Sequence, residues 1–347
     1  MKKLFLTLIV LVSFNAIAQL KTEVLVSQED SIWGFDFLSD GKIIFTERGG
    51  KLFVFDPKTK KSISITGVPS VHAVGQGGLL DVRVHPQNGY IYLTYSEPVD
   101  KKKSTTAIAR AKISGNQLTD FQKLFSALPA SDNDHHYGSR IEFDGKGHIF
   151  VTIGERGERK SVQKLDTHLG KVIRLNEDGS VPKDNPYVGQ KDVKPEIWSI
   201  GIRSPQGLAM RPGTEELWEA EMGPRGGDEL NIIKPKANYG WPDVTYGREY
   251  YGPKIGVPAK TGVEDPFIYW VPSISPSGMA FWKGDIYLAT LSGQHIRKLT
   301  LKDNKITAQE ELFKDLDWRF RNLRTGPDGD LYFSTDEGKL GKLVPKK

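Results

Sequence analysis

The chain has no cysteine among its 347 residues. That absence excludes disulfides, thiolate metal sites, a lipid-bearing N-terminal Cys and haem attachment through C-x-x-C-H. After the first nineteen residues no apolar run is long enough to cross a bilayer, which argues against stable membrane insertion. Also missing are a G-x-S-x-G elbow, a G-x-G-x-x-G turn after a strand, a P-loop and an H-E-x-x-H pair. Nicotinamide, nucleotide and zincin chemistries lose their support. Charge of one sign is not concentrated anywhere. The formal net charge is +5 with both signs interspersed, and no basic stripe points to nucleic acid. Helix signals are weak throughout.

Turn formers and aromatics are abundant. Gly 36 and Pro 20, with Trp 7, Tyr 12 and Phe 16, suggest many short strands joined by turns. The opening "MKKLFLTLIVLVSFNAIAQ" has a basic pair, an apolar run from Leu4 to Phe14 and small residues before Gln19. This pattern predicts a signal peptide over residues 1–18, cut after Ala18, and a periplasmic or secreted location. Its removal takes two lysines and leaves +3. Residues 19–347 are then one domain with no linker, large enough to be held by its core without disulfides.

One pattern recurs along that domain: a Gly/Asp turn between short alternating or apolar segments. The turns are marked by Asp40, Asn88, Asp144, Gly213, Gly284 and Asp328, at gaps of 48, 56, 69, 71 and 44 residues. Six copies with room for about four strands each predict an all-β, six-bladed propeller. A β-sandwich with long loops is the alternative. The strand-like "KTEVLVSQ" after the signal is placed to complete the last blade. The longer gaps predict insertions around residues 157–200 and 225–280, decorating one face.

Three constellations carry chemistry. In "SDNDHHYGSR", His135 and His136 stand at a loop–strand junction, where an imidazole can act as a base or simply be solvated. Arg203, and Arg319 with Arg321, lie at strand ends beside aromatics, suited to a planar anionic ligand or to surface ion pairs. In "EMGPRGGDELNIIKPKANYG", exposed carbonyls near Asp228, Glu229 and Tyr239 offer oxygens of the kind Ca²⁺ takes. The spacing there is equally that of a Gly-rich hairpin.

Nine segments, in order, resemble the soluble quinoprotein sugar dehydrogenases, the aldose sugar and soluble glucose dehydrogenase family that uses pyrroloquinoline quinone (PQQ). They include "GQGGLLDVRVHP", "HYGSRIEFDGKGHIF", "SIGIRSPQGLAM", "EMGPRGGDELN", "NYGWP" and "RFRNLRTGPDG". The resemblance runs from about Trp33 to the C-terminus and implies a six-bladed propeller. It implies that His136 is the base for the anomeric hydroxyl and that hydride passes to the quinone. Arg203 would polarise the quinone, Gln76 and residue 204 would contact cofactor or base, and Arg319 and Arg321 would hold cofactor carboxylates. The carbonyls of Gly223 and Pro224 would bind the Ca²⁺ on PQQ, and Glu229 with Tyr239 a second Ca²⁺. The expected partners are an aldose sugar and an external electron acceptor, a quinone or a cytochrome.

Three positions depart from the family pattern. Ser204 replaces an Asn, Ser292 stands where a Lys is usual, and His135 stands where the glucose enzyme has Asp. Two other activities remain open on sequence. One is a Ca²⁺-dependent lactonase using strand-end acids such as Glu47, Glu155 and Glu221. The other is a non-catalytic propeller that binds a sugar or a protein. Tyr246, Tyr250, Tyr251 and Trp270 in the second insertion suit either sugar stacking or loop packing.

Overall fold

The computed structural model describes residues 19–346, so the predicted signal segment lies outside the described residues. Inner strands such as Ile32–Phe37 and Ile43–Glu47 are buried on both faces, outer strands such as Lys61–Ile65 and Lys305–Leu312 are mostly exposed, and among the described residues helix is confined to two single turns, Arg159–Ser161 and Lys314–Leu316. The strands form six four-stranded antiparallel sheets. Five are built from consecutive strands. The sixth takes Phe320–Thr325, Leu331–Thr335 and Lys339–Pro345 from the C-terminus and Leu20–Ser27 from the N-terminus. Leu20 pairs with Pro345 and Ser27 with Lys339, so the first strand closes the ring as expected.

The innermost strands are Ile32–Phe37, Leu79–Val84, Gly138–Phe143, Pro205–Met210, Pro276–Trp282 and Phe320–Thr325. Each packs beside the next, and the sixth beside the first. All six turn markers fall in the hairpin between a blade's innermost strand and its second strand. The repeat therefore reported one hairpin per blade. The insertions are narrower than expected: strands Lys171–Asn176 and Ile197–Ile200 lie within 157–200, and Asp228–Ile233 and Ile268–Trp270 within 225–280. The true excursions are residues 154–170, 177–196 and 234–267.

Clusters of Ile, Leu, Val and aromatic side chains fill the spaces between blades. At the axis the core is polar. Arg140, 2 % exposed, sends Nε to Gln206 O (2.7 Å), Nη1 to Asp81 Oδ1 (3.1 Å) and Nη2 to Arg321 O (3.0 Å). Its guanidinium carbon lies 4.0 Å over the Trp33 ring. One side chain of the third blade thus touches the first, second, fourth and sixth. Asp81 Oδ2 also accepts the Ile141 N–H at 3.1 Å. Gly34 permits this approach: a Cβ there would fall 2.7 Å from Asp81 Oδ1. Burial pushes the Arg140 guanidinium down to about 10 while Asp81 pulls it back, so it stays charged at neutral pH.

Each innermost strand carries a register shift near its start, between Ile32/Phe35, Leu79/Val82, Gly138/Ile141, Pro205/Gly207, Pro276/Met279 and Phe320/Asn322. Such bulges bend a strand and re-aim its side chains. They all sit at the end remote from the hairpin turns, the end that carries the candidate site. Replacing Arg140 with Met leaves the buried Asp81 carboxylate with only the more distant Arg324 as a cation, 3.8 Å away, and should cost about 3–5 kcal/mol of stability. Urea unfolding checks this, and adding Asp81→Asn should recover part of the loss.

Candidate active site

On the face opposite the hairpin turns, the strand starts and the ends of the second strands enclose a cleft of about 360 Å³. Every blade contributes: Trp33 and Arg48, Gln76, Tyr137, Gln206, Leu291, and Arg319 with Arg321. Its lining includes three guanidiniums (Arg48, Arg319, Arg321) and three carboxylates (Glu29, Asp30, Asp336).

His136 stands at the shoulder of this cleft, just before strand Gly138–Phe143. Its Nδ1 lies 2.6 Å from Glu155 Oε1, and its N–H donates to Gln76 Oε1 at 2.8 Å. The Gln76 N–H in turn donates to Asp134 O at 2.7 Å. Glu155 follows strand His148–Ile153, the hairpin partner of Gly138–Phe143. Gly154 is required between them, since a Cβ there would lie 1.9 Å from His136 O. Burial lowers the His136 imidazole from 6.5 to about 4; Glu155 draws it up, while Arg203 and His135 push it further down. Burial alone would raise the Glu155 carboxyl, but the His136 bond, Arg203 and the Gly157 N–H outweigh it and hold it below the usual range. Glu155 is therefore the anion and acceptor. Nδ1 carries the proton, leaving Nε2 as a free base.

Arg203 is buried beside this pair. Its Nη1 donates to Met222 O at 2.7 Å, its carbonyl accepts the Glu155 N–H at 2.9 Å, and its Nε has no partner. Trp241 lies 5.4 Å from the Arg203 guanidinium carbon and 5.2 Å from that of Arg159. Arg159 pairs with Glu249, tying the two insertions together over the site. Ser204 is buried and its hydroxyl is unpartnered.

Arg319 and Arg321 converge on one carboxylate. Asp336 accepts Arg319 Nε at 3.0 Å, Arg321 Nε at 2.8 Å and Arg321 Nη2 at 2.9 Å. Burial works to raise Asp336, but the two arginines and Ser31 bring it to about 2. Arg321 Nη1 also donates to Gln206 Oε1 at 2.7 Å, so Arg321 is fully engaged while Arg319 remains 44 % exposed.

The Gly223–Pro224 turn is pinned by Asp228. That carboxylate accepts N–H groups from Gly223, Ile274 and Ser275 at 2.6–2.9 Å, and the Ser273 hydroxyl. Ser292 joins the same network through Ser275 Oγ at 2.8 Å. The position expected to hold a lysine is instead the end of a serine chain leading to the turn. Pro224 O accepts the Arg248 N–H at 3.1 Å, which leaves it one further lone pair.

Glu229 is buried beside Glu219 and Glu221, and Asn231 Nδ2 reaches Glu219 Oε2 at 3.3 Å and Glu229 Oε2 at 3.5 Å. Burial, then the charge of Glu221, raises Glu219 and Glu229 well above the usual carboxylate range, and Glu221 itself is pushed up to about 7. The Tyr239 hydroxyl is committed elsewhere, donating to Ile232 O (2.7 Å) and accepting from Lys234 N–H (2.9 Å). Among the described residues no three His, Asp or Glu side chains converge as a metal cage. Glu47, Glu155 and Glu221 do not converge either: they engage Lys51, His136 and the Arg203 N–H respectively. Of the aromatic candidates, Trp270 is core, with Nε1 bonded to Gln309. Tyr246 stacks on Tyr269 at 3.6 Å, and Tyr250 and Tyr251 are exposed.

The site thus brings together His136, Gln76 and Arg203 with Glu155, and Arg319 and Arg321 with Asp336. The Tyr239 hydroxyl is spent on Ile232 O and Lys234 N–H, so of that residue only its backbone carbonyl is left to offer a cation. A planar, multiply anionic cofactor finds arginines in the cleft, and Arg203 Nε, Ser204 Oγ and Glu155 Oε2 are buried polar atoms with unspent capacity. A hard cation beside it would find carbonyl oxygens at Gly223 and Pro224.

The Glucose / Sorbosone dehydrogenase family model matches residues 29–344. An aldose sugar dehydrogenase of Escherichia coli (strain K12) is 40% identical, with 95% of this chain and 94% of that protein covered. The crystal structure of the soluble aldose sugar dehydrogenase from Escherichia coli in the apo-form superposes with a TM-score of 0.91 at 39% identity, covering 94% of this chain and 100% of that one. The PQQ-bound form of an aldose sugar dehydrogenase from Streptomyces coelicolor gives 0.81 at 27% identity over 95% of this chain and 99% of that one.

The His136–Glu155 geometry makes a direct prediction. By NMR the His136 imidazole should titrate near 4, and lower in Glu155→Gln, which loses the group that draws it up. A midpoint at 6.5 or above in the native chain would contradict this geometry.

Proposed function

Since this chain belongs to the glucose/sorbosone dehydrogenase family, we propose that it is an exported quinoprotein that oxidises the C1 hydroxyl of aldose sugars to lactones with PQQ and Ca²⁺. Export rests on the N-terminal basic–apolar–small pattern. PQQ rests on the arginines of the cleft and on the PQQ-bound relative. The observation that carries the reading is the buried His136–Glu155 pair, 2.6 Å apart, beside Arg203, whose Nε has no partner.

When bound, PQQ supplies a two-electron acceptor for the hydride leaving sugar C1. The chain's own residues do the rest. His136 Nε2 accepts the hydroxyl proton, and Glu155 stabilises the imidazolium that forms. Gln76 fixes the His136 backbone. Arg203, cationic and low in dielectric, is placed to stabilise negative charge developing on an oxygen in the cleft. Gly223 and Pro224 would hold the Ca²⁺, with Asp228 and the serine chain keeping their turn in place. A second Ca²⁺ at Glu229 would take carboxylate oxygens from the Glu229 cluster rather than the Tyr239 phenol. Electrons would then pass to an external acceptor, since the chain has no C-x-x-C-H motif for a covalently attached haem.

Reconstitution tests this. The mature chain given PQQ and Ca²⁺ should reduce a dye with aldoses, and a chelator should abolish turnover. His136→Ala should lower kcat by about 10²–10⁴-fold with PQQ affinity nearly unchanged. Unchanged turnover in that variant, or none with any aldose in the native chain, rejects the reading.

A further inference from the structure

Arg156, next to Glu155, is 1 % exposed and forms no ion pair among the described residues. Burial pushes its pKa down, and only Tyr137 and Asp134 oppose that. A buried guanidinium without a carboxylate is costly unless its N–H groups are otherwise satisfied. Here they are divided between the loop that carries His136 and Ser104 of the neighbouring blade. Nε donates to His135 O at 2.9 Å and Nη2 to Asn133 O. Nη1 donates to Ser104 O at 3.0 Å and Nη2 to Ser104 Oγ at 3.2 Å. The guanidinium carbon lies 3.7 Å from the Tyr137 ring centroid, and Tyr137 Oη meets Ser104 Oγ at 2.8 Å. The contacts therefore bracket His136 from both sides, through residues 133, 135 and 137, and anchor that bracket to the neighbouring blade at Ser104.

His136 needs such a bracket. Its φ is 55°, a left-handed conformation that a non-glycine residue holds only when its surroundings impose it. We propose that Arg156 is a positioning residue that holds the 133–137 backbone so that the His136 ring meets Glu155, with residue 155 orienting the imidazole and residue 156 the chain that carries it. This inference rests on the reading of His136 as the base. A lysine cannot replace the arginine. Its three donors radiate from one point, whereas the guanidinium spreads five N–H groups in a plane and lays that plane on an aromatic ring.

The test compares native protein, Arg156→Lys and Ser104→Ala. Ser104→Ala is a milder lesion that removes only one acceptor and the Tyr137 partner. Its first readout needs no cofactor: the His136 imidazole, faced by Glu155, His135 and Arg203, is titrated by NMR in the apo chain. Loss of the bracket should free the ring from Glu155, which by itself would lower the midpoint, and from burial, whose loss raises it and is the larger effect. The midpoint should therefore rise from about 4 toward 6.5, further in Arg156→Lys than in Ser104→Ala. The second readout is kinetic. In Arg156→Lys, kcat should fall by about 10²-fold, as a misplaced base implies, with KM for the aldose and PQQ affinity within about threefold of native. A purely structural role would lower the unfolding temperature and leave the titration and kcat at native values. That result overturns the proposal. If Arg156→Lys does not fold, an unmoved midpoint in Ser104→Ala overturns it and a shifted one supports it. If the native chain turns over no aldose, the enzymatic reading fails while the imidazole titration still decides the positioning role.

Discussion

The buried Arg140 at the axis underlies the rest of the molecule. The innermost strands meet at the axis, where their buried backbone carbonyls and the Asp81 carboxylate need donors. The guanidinium answers Gln206 O, Arg321 O and Asp81 at once and stacks on Trp33. Such a network adds little net stability over an apolar plug, but it specifies geometry, because each N–H fits only one neighbour in place. The same atoms form the floor of the cleft. Gln206 gives its carbonyl to Arg140 and its side-chain oxygen to Arg321, whose other nitrogens hold Asp336. The cleft wall is therefore continuous with the axial plug, and its arginines are set by blade assembly.

The blades also explain why the candidate site is built from pairs. Each innermost strand starts on the cleft face, and each second strand ends there, so residues just outside the hairpin face one another. Gly138 pairs with Ile153, which sets His136 opposite Glu155. Phe320 pairs with Thr335, which sets Arg319 opposite Asp336. Pro205 pairs with Glu221, whose carboxylate accepts the Arg203 N–H at 2.6 Å. Antiparallel geometry puts such facing residues within side-chain reach. Three blades have turned that rule into a base–carboxylate pair, an arginine–carboxylate cluster and a braced guanidinium.

The bulges mark where sequence reasoning stopped. The six turns and the closing strand were legible because turn chemistry and alternation are local. His136, Arg203, Arg319 and Arg321 were legible because their motifs are contiguous. Glu155 was visible only as one acid among scattered strand ends. Counting outward from the regular pairing Phe143–Ile149 would set Glu155 opposite Tyr137; the register shift after Gly138 moves it to His136. In the same way the shift between Phe320 and Asn322 gives Asp336 to Arg319 instead of Phe320. A one-residue shift is invisible in a turn pattern, yet it decides which side chain meets the imidazole. Trp241 and Arg156 escaped for a different reason. Their partners lie in other loops or the neighbouring blade, and no periodicity reports them.

The electrostatics of the His136 pair follow from that geometry. A base whose pKa sits near 4 is in its accepting form at every physiological pH, but on its own it pulls weakly on a proton. Burial, Arg203 and His135 impose that weakness. Glu155 opposes it, and opposes it more once the imidazole is charged, because an imidazolium donating to a carboxylate at 2.6 Å in a low-dielectric shell is far better stabilised than a neutral ring. The pair is thus poised by a difference: the surroundings keep the ring unprotonated at rest, and the carboxylate rewards the protonated state when a proton arrives. That difference survives only while the ring and carboxylate hold their spacing. For this reason the backbone around His136 needs Gly154 to let it in, Gln76 to bind its N–H and Arg156 to grip the residues on either side.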